Sequence, residues 1–243
     1  LFIFTKISKK MIRQSAGRIF KSQQRGFSET DGCTTYATFN FEDYNDFSRK
    51  PFGILKLFNE GILFPDKSTT LQPAKHSTMI VLPVYGGIVC SAGNGKERPL
   101  APGDAGIFVI HEKGHSLVIK NPYADEQVNY LYIELSSPGM GKFGMAHNDL
   151  TVRNTLHPVV DLLTDIKAYM GVFDGRGEAV YRPTDIHHGL FLFVLNGAFE
   201  VQGRLLENRD ALSLWDTEEI DVEALSNDAV ILLIEVPPAA FTA

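Results

Sequence analysis

Ile80-Val81-Leu82-Pro83-Val84-Tyr85-Gly86-Gly87 is a run of strand-forming residues that ends in glycine, and a hairpin-like stretch separates it from Pro102-Gly103-Asp104. The layout returns at Phe191-Leu192-Phe193-Val194-Leu195-Asn196-Gly197, followed by Asn208-Arg209-Asp210. In both, an apolar strand ends at a glycine turn and a second strand opens beside an aspartate. A separation of about 110 residues points to duplicated domains rather than a solenoid of short units.

Outward from these phrases the apolar pattern is mostly period two. Tyr36, Ala37, Phe39 and Phe41 enclose Thr38 and Asn40, and Ile54-Leu55-Lys56-Leu57-Phe58 follows. Such alternation predicts short strands. Turn chemistry recurs at Asn59-Glu60-Gly61, Pro65-Asp66, Gly86-Gly87, Lys113-Gly114 and Asn121-Pro122, the punctuation of an antiparallel sandwich or barrel. The expected class is all-β, with one or two short helices. The best helix signal is Pro158 to Tyr169, where Val159, Leu162, Leu163 and Ile166 have helical spacing behind a proline. Pro138, Gly139, Gly141 and Gly144 make Ser136 to Asn148 read as a linker. The expected division is an N-terminal extension and arm over 1–34, a barrel over 35–135, a linker with a short helix over 136–167, and a second barrel over 168–243.

A formal net charge of −6 argues against a nucleic-acid partner, whose affinity would come from released counterions. Lys6, Lys9, Lys10, Arg13, Arg18, Lys21 and Arg25 all precede the first acid, Glu29, which reads as a basic arm. The longest nearly uncharged apolar stretch, Met79 to Cys90, falls short of the roughly 20 residues a spanning helix needs, so no membrane partner is expected. Cys33 and Cys90 are too few for a disulfide framework, and a cytoplasmic location follows as the expectation.

The phrases Thr38-Phe39-Asn40-Phe41-x-x-Tyr44, Phe52-Gly53-x-Leu55-x-Leu57-x-Asn59-Glu60 and Gly103-Asp104, with the repeated layout, resemble the pirin and quercetinase-like bicupins over roughly Met11 to Val236. The resemblance implies two cupin barrels, each a double-stranded β-helix or jelly roll. It also implies a metal site in the first barrel, built from a His-x-His pair and a His-x-Glu pair. Counting from Gly86 puts the first pair on Gln72 and Ala74, and counting from Gly87 puts it on Pro73 and Lys75. The second pair falls on Ser116 and Val118 or on Leu117 and Ile119. None of these side chains is a strong imidazole donor. The expectation is therefore a bicupin without its metal and without cofactor, binding a small aromatic molecule or a protein partner through a pocket of Gln72, Ala74, His76, Thr78, His115 and Leu117.

Two alternatives stand beside that reading. One is a quercetinase-type dioxygenase holding Fe, Cu, Ni or Zn on displaced ligands, drawn from His76, His111 and His115. The other is a purely structural or protein-interaction module. His111 beside Glu112, and His115 beside Gly114, also fit solvated loop positions. In the second half only the neighbours His187 and His188 are read as strand histidines, with none beyond Gly189. Ala92-Gly93-Asn94-Gly95 and Asp174-Gly175-Arg176-Gly177 lack a following helix and read as hairpin turns, not phosphate loops. No Gly-x-Ser-x-Gly phrase is present, so nucleophilic hydrolysis has no support. Tyr36, Phe39, Phe41 and Tyr44 are expected to close the base of the first barrel or to pack the barrels together, and Cys90 to be a small buried apolar residue.

Overall fold

The alternating strands assemble into two pairs of antiparallel sheets, one pair per barrel. The computed structural model describes residues 14–93, 95–112, 114–136, 144–163 and 166–238. In chain order the first strands are β1 (Ala16–Phe20), β2 (Gly26–Glu29), β3 (Cys33–Ala37), β4 (Leu55–Leu63), β5 (Ser68–Leu71), β6 (Ser77–Tyr85), β7 (Ile88–Ala92) and β8 (Arg98–Leu100). They continue with β9 (Asp104–Ile110), β10 (Leu117–Lys120), β11 (Val128–Leu135), β12 (Gly144–His147), β13 (His157–Leu163) and β14 (Ile166–Phe173). The last are β15 (Glu178–Tyr181), β16 (Gly189–Asn196), β17 (Phe199–Val201), β18 (Arg204–Leu206), β19 (Ala211–Trp215), β20 (Ile220–Ala224) and β21 (Ala229–Val236).

The N-terminal barrel pairs a large sheet, ordered β12-β9-β6-β11-β4-β3-β2, with a small one, β5-β10-β7-β8. The C-terminal barrel repeats this as β1-β19-β16-β21-β14-β13 and β15-β20-β17-β18. Successive side chains on a strand point to opposite faces, so each large sheet serves two cores at once. Met79, Val81, Tyr130 and Tyr132 fill the first barrel with Ile88, Cys90, Leu117 and Ile119. Their neighbours Ile80, Leu82, Leu131 and Ile133 face the second barrel, where they join Phe191, Phe193, Leu232 and Ile234 in one cluster. Phe58 sits between Phe191 and Phe193 at ring-centroid distances of 4.8 and 4.7 Å.

The arm crosses between barrels. β1 pairs antiparallel with β19 of the second barrel, whereas β2 pairs with β3 of the first. Gly17 is required there, because a Cβ would stand 2.6 Å from the Ser213 carbonyl oxygen. Phe20 at the end of β1 packs edge-on to Phe39 at 5.4 Å and lies 6.1 Å from Phe191. Arg49, 1% exposed, fixes the crossing by donating to the carbonyls of Lys21 (2.8 Å) and Thr38 (3.3 Å) and to Gln24 Oε1 (3.1 Å). In reciprocal fashion β12 closes the edge of the first barrel's large sheet by pairing with β9.

The expected helix over Pro158 to Tyr169 does not form. His157–Leu163 and Ile166–Phe173 are antiparallel strands, with His157 opposite Met170 and Pro158 opposite Tyr169. An apolar run this short fits either period, and pairing of β14 with β21 decides for the strand by burying Ile166 and Ala168 against the other barrel. Among the described residues the helical element is a 3-10 turn, Ser22–Gln24. The segment read as a linker contributes β12 and β13, and the arm contributes β1 and β2. The large sheets thus reach outside 35–135 and 168–243.

Candidate functional site

Duplication places the same elements at the same end of each barrel. In the first, β5 runs into Leu71-Gln72-Pro73-Ala74 and β11 ends in Ile133-Glu134-Leu135. In the second, β15 runs into Tyr181-Arg182-Pro183-Thr184 and β21 ends in Ile234-Glu235-Val236. Both glutamates are buried and both accept the backbone N–H of the residue after the proline. Ala74 donates to Glu134 Oε1 at 2.7 Å, and Thr184 to Glu235 Oε1 at 2.8 Å.

In the C-terminal barrel Glu235 gathers a network. His188 Nδ1 lies 2.5 Å from Oε1, and the Tyr181 hydroxyl donates to Oε2. The Lys167 ammonium donates to Thr184 Oγ1 at 2.6 Å, and Tyr169 packs on Tyr181 at 5.1 Å. Burial pushes the Glu235 carboxyl up, yet the bonds from Tyr181, Thr184 and His188 outweigh it and hold the group below its usual range. Burial and the bond to Glu235 push the Tyr181 phenol up. An ionised Glu235 makes Nδ1 the protonated nitrogen of His188, whose side chain is 14% exposed. A histidine oriented by a buried carboxylate has general-base geometry, and among the described residues no nucleophilic side chain hydrogen-bonds to it.

The six residues expected to form a pocket in the first barrel do not converge. Gln72, Ala74 and His76 are exposed in the connection from β5 to β6, and His76 takes a left-handed φ of 56°. Thr78 is fully buried but lies on the opposite face of β6 from Met79, with Leu135 of the inter-barrel cluster as its cross-strand neighbour. Leu117 alone of the six points into the barrel core. His115 is exposed, its Nδ1 3.4 Å from the Glu112 carbonyl oxygen, and His111 is exposed as well. In the other registers Pro73 and Ile119 are buried, whereas Lys75 is exposed and Ser116 and Val118 are half-buried. In the second barrel His187 and His188 precede β16 rather than lying on it.

Two features escaped the sequence reading. The buried glutamates could have been found from Ile133-Glu134 and Ile234-Glu235, each an acid within an apolar strand at the same place in both halves. The other is a pocket of about 130 Å³ between β2, β3 and the turn at 41–44, lined by Gly26, Phe27, Ser28, Thr35, Ala37, Phe41, Glu42, Asp43 and Tyr44. Phe39 does pack the barrels together, 5.5 Å from Phe191, but Phe41 and Tyr44 belong to this pocket.

Known proteins share this geometry. Residues 156–236 match the quercetinase C-terminal cupin domain family. The solved structure of YhhW from Escherichia coli superposes with a TM-score of 0.80 at 16% identity, covering 93% of this chain and 100% of that one. The bacterial pirin YhhW in complex with nickel(II), also from Escherichia coli, gives 0.80 at 15% identity over 92% and 100%. A quercetin 2,3-dioxygenase from Acinetobacter baumannii gives 0.71 at 14% identity over 91% and 79%. No curated protein sequence matches the chain. Residues 156–236 are thus similar to a quercetinase C-terminal cupin domain, and the chain as a whole shares the fold of these solved structures. No helix among the described residues is long and apolar enough to cross a membrane.

The metal that this fold implies finds no donor set among the described residues. The first barrel presents Met79, Ile88, Cys90, Leu117 and Ile119 to its interior. Burial pushes the Cys90 thiol up to about 12, so it carries no thiolate. A divalent site needs three or four convergent imidazole, carboxylate or thiolate donors, and no group of three or more His, Cys, Asp and Glu gathers anywhere in the described residues.

Proposed function

We propose that this bicupin is a metal-independent binding protein of the cytoplasm, acting on a small molecule or a protein partner without oxidising it. The observation that carries this reading is the interior of the first barrel. Ring cleavage by dioxygen requires a centre that binds and polarises a substrate oxygen, and Leu117, Ile119 and Met79 can do neither. His76, His111 and His115, the displaced ligands of the dioxygenase alternative, are all exposed. Both cysteines are buried free thiols, in keeping with a reducing compartment. The pocket at 41–44, about 130 Å³, is smaller than the roughly 300–1,000 Å³ of sites for drug-sized ligands, so it takes a small group rather than a whole flavonoid.

Oxygen uptake tests the reading. Purified protein incubated with quercetin and added ferrous, cupric or nickel ion is expected to consume no oxygen above a metal-only control. Metal-dependent uptake that disappears in the His76→Ala, His115→Ala double variant would overturn it.

A further inference from the structure

We propose that the pocket between β2, β3 and the 41–44 turn binds a small organic ammonium group, such as a trimethylammonium or methylated-amine head. This assigns a ligand class to the binding reading above and rests on it.

The pocket has the chemistry of a cation cage. Two of its walls are aromatic, Phe41 and Tyr44, and Glu42 and Asp43 also line it, with no Lys or Arg among the lining residues. Aromatic faces carry negative quadrupole density, and a positive head whose methyl groups touch several rings gains both apolar burial and cation–π attraction. A hydrated metal ion would gain little from such walls. A neutral apolar ligand would gain nothing from the carboxylates. At about 130 Å³ the space suits a head of a few heavy atoms.

The cage is also built before any ligand arrives, which limits the ordering cost of binding. Phe41 and Tyr44 exchange backbone hydrogen bonds at 3.1 and 2.9 Å, which fixes the turn that carries both acids. The Tyr44 ring packs against Gly26, where a Cβ would come within 2.4 Å of it, and its hydroxyl donates to the Gln24 carbonyl at 2.6 Å.

A buried amide lies behind Phe41 and Tyr132. Phe41 packs on Tyr132 at 6.4 Å, and the Tyr132 hydroxyl pairs with Asn59 Nδ2 at 3.0 Å. Asn59, opposite the pocket residue Ala37 in register, is fully buried, and its Oδ1 has no hydrogen-bond partner among the described residues.

The test is a titration of the full chain with tetramethylammonium chloride at constant ionic strength, read by aromatic proton–carbon NMR. tert-Butyl alcohol serves as the neutral analogue and calcium chloride as the metal arm. Saturable shifts of the Phe41 and Tyr44 rings, with the Phe27 ring on the opposite face of β2 unmoved, are expected with tetramethylammonium alone. Phe41→Leu is expected to weaken binding about threefold to tenfold, and the Glu42→Gln, Asp43→Asn pair to weaken it without unfolding the turn. No saturable shift at tens of millimolar, equal shifts from the alcohol, or a response to calcium alone would each overturn the proposal. None of these results touches the metal-free reading, which falls only to metal-dependent oxygen uptake.

Discussion

Where the first barrel carries Leu71, Ala74, His76 and Glu134, the second carries Tyr181, Thr184, His188 and Glu235 at corresponding places. The strands, the proline after the hairpin and the buried glutamate are common to both. The connection differs, running over residues 72–76 in the first barrel and the longer 182–188 in the second. The longer loop folds its last histidine back onto the glutamate, whereas the shorter one leaves His76 exposed at a left-handed φ of 56°. Leu71 offers no hydroxyl, so Glu134 has the Ala74 N–H where Glu235 has three donors. Two extra loop residues and one tyrosine thus separate a simple backbone anchor from a closed side-chain network.

The largest effect expected from this difference is in stability. Glu235→Ala strands Tyr181, Thr184 and His188 without their acceptor and is expected to cost about 3–4 kcal/mol, against about 1–2 for Glu134→Ala. Urea denaturation of both variants measures the gap, and equal losses would break the comparison.

Next in size is the acid limb. Burial pushes Glu60 up, but Arg209 and Arg25 outweigh it and hold it below its usual range, as the hydrogen-bond donors do for Glu235. Glu60 joins the barrels, because Arg209 of the second donates to it at 2.8 Å, as does Arg25 of the arm. A carboxylate with a lowered folded pKa stabilises fully above its unfolded value, near 4.3, and loses that contribution as pH falls through the folded value. Stability should therefore drop below about pH 4.3, and the Glu60→Gln, Glu235→Gln double variant should show a flatter profile there. An unchanged slope in thermal melts across that range would contradict the assignment.

The smallest contrast is between the histidines. His188→Ala is expected to cost about 1–2 kcal/mol and His76→Ala less than about 0.5. Comparable losses in the two melting curves would show that His76 has a partner in solution.

Much of this architecture was open to inspection in the linear chain. Period-two alternation, turn residues and the repeated strand phrase fix an all-β duplicated chain, because a side chain's face depends only on its parity along a strand. The types of side chain at Gln72, Ala74 and Leu117 argue against a metal site by their chemistry alone. Other features depended on partners far away in sequence. The apolar spacing over 157–173 fits a helix or a hairpin, and only pairing with β21 selects the hairpin. The arm's crossing to β19 joins Gly17 to Leu214, a pairing that no local pattern encodes. Thr78 and Leu117 both read as barrel residues, but Leu117 faces the barrel interior from β10 of the small sheet, whereas Thr78 lies on the face of β6 in the large sheet that turns toward the other barrel. Tyr181, His188 and Glu235 become neighbours only when β15, β21 and the loop before β16 converge. The aromatic pocket likewise exists only because Gly26 lets the Tyr44 ring lie against β2. Parity is local information, whereas convergence is set by which strands pair, and that is decided by burial across the whole chain.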